Sequence, residues 1–229
     1  MSDMNITILK SVDEAVRASG VAVIIDVFRA FSTEMYIFNQ GARYIIPVQT
    51  LEEAYALKKD YPEYVLVGER GGIKPEGFDY GNSPTEIQSV DFTNKVIVHT
   101  TSNGTKGLLL ATGAEEVLTG SFINAAAIVK HIKKLNPKNT SLVSTSPNTH
   151  EENNEDLMLA YYLRDCLEGK EPSEDDIKQM MKKTAAYSLL FDEVGVPATD
   201  FDLCLDFNRM DFVVRQEIRE GRKVLVRTK

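Results

Sequence analysis

The stretch Val21-Ala22-Val23-Ile24-Ile25-Asp26-Val27-Phe28-Arg29-Ala30 decides the reading of this chain. Five consecutive apolar residues, mostly β-branched, suit a strand covered on both faces better than one half exposed to water. Asp26 ends the run. From Ala30 to Gln40, Phe31, Met35 and Phe38 can share one face of a helix, which Gly41 is placed to stop. A buried strand running straight into a helix is the opening of an α/β arrangement.

Working outward, the same alternation continues. Arg43 to Val48 reads as a strand, and Thr50 with Glu53 forms a capping box for a helix from Leu51 to about Lys59. Tyr64 to Val67 is a short strand. Residues 68–84 hold five glycines and two prolines and form a long loop, a feature usually tied to function. Further strands are expected at Lys95 to His99, Val117-Leu118 and Thr140 to Thr145, with helices ending near Gly113, from Ser121 to Leu135 and from Glu155 to Leu167. A polar loop spans Pro147 to Asn154. One helix is then expected from Ser173 to about Asp192 and another from Thr199 to Phe207, with Lys223 to Arg227 as a closing strand at a sheet edge. This alternation predicts a mostly parallel sheet with helices on its faces. Residues 1–229 are read as one α/β domain; no flexible linker marks off a helical subdomain over 172–207.

Composition sets the boundaries. Hydrophobic residues make up 43% and charged residues 26% of the 229, which places the chain among folded globular proteins. No apolar run approaches the roughly 18 residues of a membrane span, and no basic segment followed by an apolar stretch opens the chain. A cytoplasmic location is therefore expected. Cys166 and Cys204 do not form a metal-type or redox spacing. A net charge of −8 disfavours nucleic acid while leaving room for a small anion bound locally.

In open α/β sheets ligands collect beyond the carboxyl ends of the strands. That rule selects Asp26 to Thr33, Gly68 to Gly72, Thr100 to Thr105, and the approach to Glu155-Asp156. Asp26 either caps the next helix or faces a site. Arg29 opens a helix, where a cation is disfavoured, so a bound anion or an acidic neighbour would relieve it. The Thr100 to Thr105 loop offers four hydroxyls, one amide and Gly104 between strand and helix, a suitable cradle for an oxyanion. Glu69, Asp79 and Asp156 are further loop carboxylates, and clustered carboxylates suit Mg²⁺, which takes one or two of them plus phosphate and water. The scattered histidines His99, His131 and His150 argue against zinc.

Five strings carry a specific resemblance: Asp26-Val27-Phe28-Arg29-Ala30, Gly68-Glu69-Arg70-Gly71-Gly72, Gly77-Phe78-Asp79-Tyr80-Gly81-Asn82-Ser83-Pro84, Thr100-Thr101-Ser102-Asn103-Gly104-Thr105 and Gly120-Ser121-Phe122-Ile123-Asn124-Ala125. In order and spacing they resemble the 2-phosphosulfolactate phosphatase (ComB) family, as do Glu155-Asp156 and Asp200 to Leu205 further on. The resemblance implies a three-layer α/β/α sandwich with a mixed, mostly parallel sheet, and Mg²⁺-dependent hydrolysis of 2-phospho-3-sulfolactate to 3-sulfolactate and phosphate. It also implies a place in coenzyme M biosynthesis. Asp26, Arg29, Glu69 and Arg70 become the catalytic candidates, and Asp26, Glu69 and Asp156 the metal candidates. Ser32, Asn82, Ser83 and Asn124 join Thr100, Thr101, Asn103, Gly104 and Thr105 as substrate-binding candidates. The expected partner is a small phosphate ester, with no nucleic acid or membrane and with a homodimer as the assembly. Two departures stand out: Ser144-Thr145-Ser146 replaces a Cys-Ala-Gly-like segment, and Ser102 replaces a threonine. A non-catalytic protein binding a small phosphorylated or sulfonated anion is the alternative.

Overall fold

The computed structural model describes residues 4–146 and 154–228. Nine strands form one mixed sheet. They are β1 (Asn5–Leu9), β2 (Gly20–Ile25), β3 (Tyr44–Pro47), β4 (Val65–Gly68), β5 (Val96–Thr100), β6 (Ala114–Gly120), β7 (Asn139–Ser144), β8 (Val213–Arg219) and β9 (Arg222–Thr228). The helices are α1 (Ala30–Asn39), α2 (Leu51–Asp60), α3 (Pro84–Ile87), α4 (Gly104–Leu110), α5 (Ala125–Leu135), α6 (Glu155–Leu167), α7 (Glu174–Met181), α8 (Ala185–Tyr187) and α9 (Ala198–Cys204).

The strand order is β1-β7-β2-β6-β8-β9-β3-β5-β4. Pairing is parallel within β1-β7-β2-β6 and within β3-β5-β4, and antiparallel across β6-β8, β8-β9 and β9-β3. The sheet is thus mixed and mostly parallel. Every residue of β2 is buried, and its two faces enter different cores. Ala22 and Ile24 pack with Phe31 and Met35 of α1. Val21, Val23 and Ile25 pack with α5 and α6 through Ile128, Ile132, Leu159 and Leu163. A third core sets Ala54 and Leu57 of α2 against Ile46 and Val98. Helices on both faces explain why the deciding run shows no polar alternation.

The capping box at Thr50 forms, with Glu53 N–H donating to Thr50 Oγ1 at 3.1 Å and Glu53 Oε2 accepting from Thr50 N–H at 3.3 Å. Three expectations need correction. The closing strand is not at an edge: β9 sits mid-sheet, because β8, which the sequence reading missed, pairs with it over seven residues. The helix expected from Ser173 to Asp192 is broken after α7, and α8 runs on as a π-helix, Ser188–Val194, ended by Gly195 at φ 72°. The strand at Val117-Leu118 extends over all of β6. The loop expected from Pro147 to Asn154 falls outside the described residues except for Asn154.

The two parallel sets run in opposite senses along the ladder, so a flat sheet would put the exits of β2 and β5 at opposite edges. They meet instead. Gly104, shortly after β5, lies against Asp26, the residue after β2, at a distance where an added Cβ would be 2.7 Å from Asp26 Oδ2. Five inter-strand steps separate β2 from β5. At roughly 20–25° each these accumulate about 100–125° of twist, and a two-stranded ribbon such as β8–β9 twists further. Twist and coiling around the first core therefore turn one set to face the other.

Candidate active site

The strand exits converge on a cavity of about 680 Å³, a size suited to a small ligand. Its polar wall comes from Asp26 after β2, Glu69 after β4, Ser102 and Asn103 after β5, and Thr145 and Asp156 around the exit of β7. Arg29 and Asn82 complete it. Leu189 and Leu190 of the π-helix add an apolar side, and such π turns recur at functional sites.

Five carboxylates line the cavity, Asp26, Glu69, Glu155, Asp156 and Glu193, and the three at the strand exits are held very differently. Asp156 Oδ1 accepts the Val27 N–H at 2.9 Å, while its Oδ2 accepts the N–H and hydroxyl of Thr145 at 3.0 and 3.2 Å. It ties the exit of β2 to that of β7. Burial pushes its carboxyl up to about 6, although these hydrogen bonds pull the other way. Glu69 Oε1 accepts the Ser102 N–H at 2.6 Å, and Oε2 accepts the Gly72 N–H at 2.7 Å and the Ser102 hydroxyl at 3.1 Å. It ties β4 to β5. Asp26 opens onto the cavity and is otherwise enclosed by protein. Among the described residues no hydrogen bond reaches its carboxylate. Burial first, then the charges of Asp156, Glu69, Glu155 and Glu34, hold its pKa well above the usual range.

Arg29 is strained. Its φ of 81° and ψ of −50° are γ-turn values that non-glycine residues rarely adopt. Such strain persists where the surroundings enforce it, and it clusters at functional sites. The side chain is buried, and one nitrogen donates to Gly72 O at 2.7 Å. Among the described residues no carboxylate pairs with it, so the acidic neighbour expected as its bland explanation is not there.

The Thr100 to Thr105 loop is built otherwise than the sequence suggests. Thr100 Oγ1 accepts from Arg70, Thr101 Oγ1 accepts the Thr105 N–H, Thr105 Oγ1 donates to Thr101 O, and the Ser102 hydroxyl donates to Glu69. These hydroxyls hold the loop together. Gly104 leaves room for the Asp26 carboxylate and for Phe31 behind it. Arg70 is likewise engaged, donating to Glu69 O, Gln49 O and Thr100 Oγ1, each at 2.7 Å.

Ser32 donates to Val27 O at 2.7 Å, Ser83 caps α3 and donates to Asp200 Oδ1 at 2.9 Å, and Asn124 accepts from Ser121 N–H at 3.1 Å. None of the three lines the cavity. The structure thus brings Asp26, Arg29, Glu69, Asn82, Asn103 and Asp156 to the cavity. Arg70, Ser32, Ser83, Thr100, Thr101, Gly104, Thr105 and Asn124 are not in its lining, and the Asn124 side chain bonds only to Ser121 and Thr119 among the described residues. Asp79 lies elsewhere, its Oδ2 accepting the Leu66 N–H at 2.8 Å and pairing with Lys58.

Sequence reasoning missed a buried pair behind Asn82. His99 Nδ1 lies 2.9 Å from Glu34 Oε1 and His99 Nε2 lies 2.7 Å from Asn82 Oδ1. The signal was present: a histidine inside an apolar strand, and a glutamate in a helix that buries nine of its ten residues.

Among the described residues no three acidic, histidine or cysteine side chains form a ready-made metal cage. The acidic surroundings of Asp26, unrelieved by any donor, nonetheless fit a hard cation held by one or two carboxylates and completed by water and a substrate phosphate.

Comparison with known proteins now identifies the class. Residues 6–218 match the family model described as 2-phosphosulpholactate phosphatase. A "probable 2-phosphosulfolactate phosphatase" of Thermoplasma volcanium is 32% identical over 206 residues, covering 90% of this chain and 92% of that protein. One of Bacillus subtilis is 34% identical over 166 residues, 72% of each chain, and one of Carboxydothermus hydrogenoformans 32% identical over 219 residues, 89% of each. The protein is an α/β phosphatase, a phosphoric monoester hydrolase. The chain belongs to the 2-phosphosulpholactate phosphatase family. No helix among the described residues is long and apolar enough to cross a membrane.

Proposed function

We propose that this chain hydrolyses 2-phospho-3-sulfolactate to 3-sulfolactate and phosphate, with Mg²⁺ held by Asp26 together with Glu69 or Asp156. The observation that carries the metal assignment is Asp26 itself, a carboxylate pressed by four neighbouring acids with no hydrogen-bond donor among the described residues. A carboxylate in that setting needs a proton or a cation beside it. Mg²⁺ there would offset negative charge developing on the phosphoryl group. The acidic wall alone would repel a substrate that carries a phosphate, a sulfonate and a carboxylate.

The chain's own residues then divide the work. Arg29, with one nitrogen fixed on Gly72 O, aims its remaining donors at phosphate or sulfonate oxygens, for which its planar fork is suited. Asn82 and Asn103 supply neutral polar groups to the same cavity. Glu69 and Asp156 keep four strand exits in register, those of β4 and β5 and those of β2 and β7, so that the reacting groups meet without rearrangement. Leu189 and Leu190 give the cavity an apolar side.

Phosphate release from 2-phospho-3-sulfolactate and from a panel of other phosphate monoesters, with Mg²⁺ and with excess chelator, tests the reading. Turnover of the sulfonated ester that depends on Mg²⁺ is expected. Full turnover in chelator would refute the metal assignment, and tight phosphate binding with no turnover of any ester would favour a non-catalytic anion-binding protein.

A further inference from the structure

We infer that Glu34 and His99 are positioning residues that hold Asn82 with its amide NH₂ toward the cavity, making it a hydrogen-bond donor to the anionic substrate. The inference rests on the phosphate-ester reading above and adds two residues that touch no substrate.

Donor and acceptor parity fixes the orientation of the amide. Glu34 and His99 are fully buried, and Asn82 is 2% exposed. Asn82 Oδ1 faces His99 Nε2 at 2.7 Å. A carbonyl oxygen only accepts, so Nε2 carries a proton. On the other side, Nδ1 faces Glu34 Oε1 at 2.9 Å, a contact that needs one proton on one of the two atoms. An imidazolium beside a carboxylate and a neutral imidazole beside a carboxylic acid both satisfy it, and both are neutral overall.

Burial pushes the Glu34 carboxyl up and His99 pulls it down, while Glu34 in turn helps to raise the Asp26 carboxyl. In either arrangement Asn82 presents the same polarity. Its Nδ2 has no acceptor among the described residues, and the side chain lines the cavity. Loss of the shared proton would reverse this. His99 would keep only Nδ1–H for an ionised Glu34, Nε2 would become an acceptor, and Asn82 would turn its oxygen toward an anion. The backbone beside Asn82 is fixed separately, because Ser83 caps α3 and bonds to Asp200. The pair therefore decides which end of the amide the substrate meets.

Imidazole ¹⁵N NMR on the full chain, with the His99 signals assigned by His99→Gln, reads the tautomer directly. A protonated Nε2 is expected, retained in Glu34→Gln because the glutamine amide donates to Nδ1. Calorimetry with inorganic phosphate and Mg²⁺ supplies the functional arm. Asn82→Asp, Glu34→Leu and His99→Leu should each weaken phosphate binding roughly tenfold or more, as loss of a hydrogen bond to a charged group does. They should raise KM more than they lower kcat. Glu34→Gln should restore binding relative to Glu34→Leu, and His99→Leu combined with Asn82→Asp should be no worse than either alone. An unprotonated Nε2 overturns the inference, as does unchanged phosphate affinity with a lowered melting temperature. If the leucine variants fail to fold, the spectra of the natural protein and of Glu34→Gln still decide. Phosphate bound with the expected tautomer but no ester turned over would refute the substrate reading and leave the pair's role standing.

Discussion

The two parallel strand sets bring opposite things to one cavity. The β1-β7-β2-β6 set delivers Asp26, which has no hydrogen-bond donor among the described residues and stands among the acidic side chains of Asp156, Glu69, Glu155 and Glu34. The β3-β5-β4 set delivers Glu69, whose two oxygens accept three hydrogen bonds from Gly72 and Ser102. Residue type is nearly the same, yet one carboxylate is electrostatically frustrated and the other is structural. The difference teaches that chemistry concentrates where the fold leaves a charge unsatisfied, since a satisfied group gains less from a ligand.

The largest effect expected from this contrast is at Asp26. Asp26→Asn should lower kcat by about 1000-fold or more, the scale of losing a principal electrostatic element, while stabilising the metal-free protein by roughly 1–3 kcal/mol through removal of a buried like charge. Glu69→Gln should instead lower the melting temperature, because its amide would set a donor against donating N–H groups. Activity assays beside thermal melts check both. If Asp26→Asn melts below the natural protein, the contrast is wrong.

A smaller effect is expected at Arg29. Arg29→Lys keeps the charge and loses the fork, so KM should rise roughly tenfold with a lesser change in kcat. Equal KM in steady-state kinetics would show that Arg29 only anchors Gly72.

The smallest effect concerns pH. Both Asp26 and Asp156 are raised in the folded state, Asp156 to about 6. A raised carboxyl binds protons more tightly folded than unfolded. Its contribution is therefore fully present below the unfolded pKa and is lost as pH rises through the folded value. Metal-free protein should accordingly lose a few degrees of melting temperature relative to Asp26→Asn as pH rises above the ordinary carboxylate range. Saturating Mg²⁺ should remove most of that loss, by binding only the folded form. A difference between the two proteins that does not vary with pH would place the frustration elsewhere.

Much of the fold was legible because local signals agreed with the global arrangement. Val21 to Ile25 reads as a doubly covered strand without any partner in view, and Thr50 with Glu53 marks a helix start by local hydrogen bonding alone. The β8–β9 hairpin was missed in part because Arg215, Gln216, Glu217 and Arg219 make β8 polar. Its place in the middle of the sheet depends on pairing across the chain. The break after α7 escaped notice because a helical pattern continues through it, and tertiary packing overrode local propensity.

For the site, the sequence by itself determined which loops leave the strands and which carry carboxylates, arginines and amides, because those follow from strand order and residue type. Tertiary structure alone decided which of them face the cavity. Thr100, Thr101, Ser102 and Thr105 look like ligand donors in sequence, yet their hydroxyls are engaged within the loop, by Arg70 or by Glu69. Gly104 looks like a cradle for a ligand and in fact makes space for Asp26. Glu34 and His99 sit 65 residues apart, so only folding could join them. The physical reason is common to all these cases: a hydrogen bond or a field is fixed by distance in space. Here that distance was set by a sheet that turns its second strand set round to meet its first.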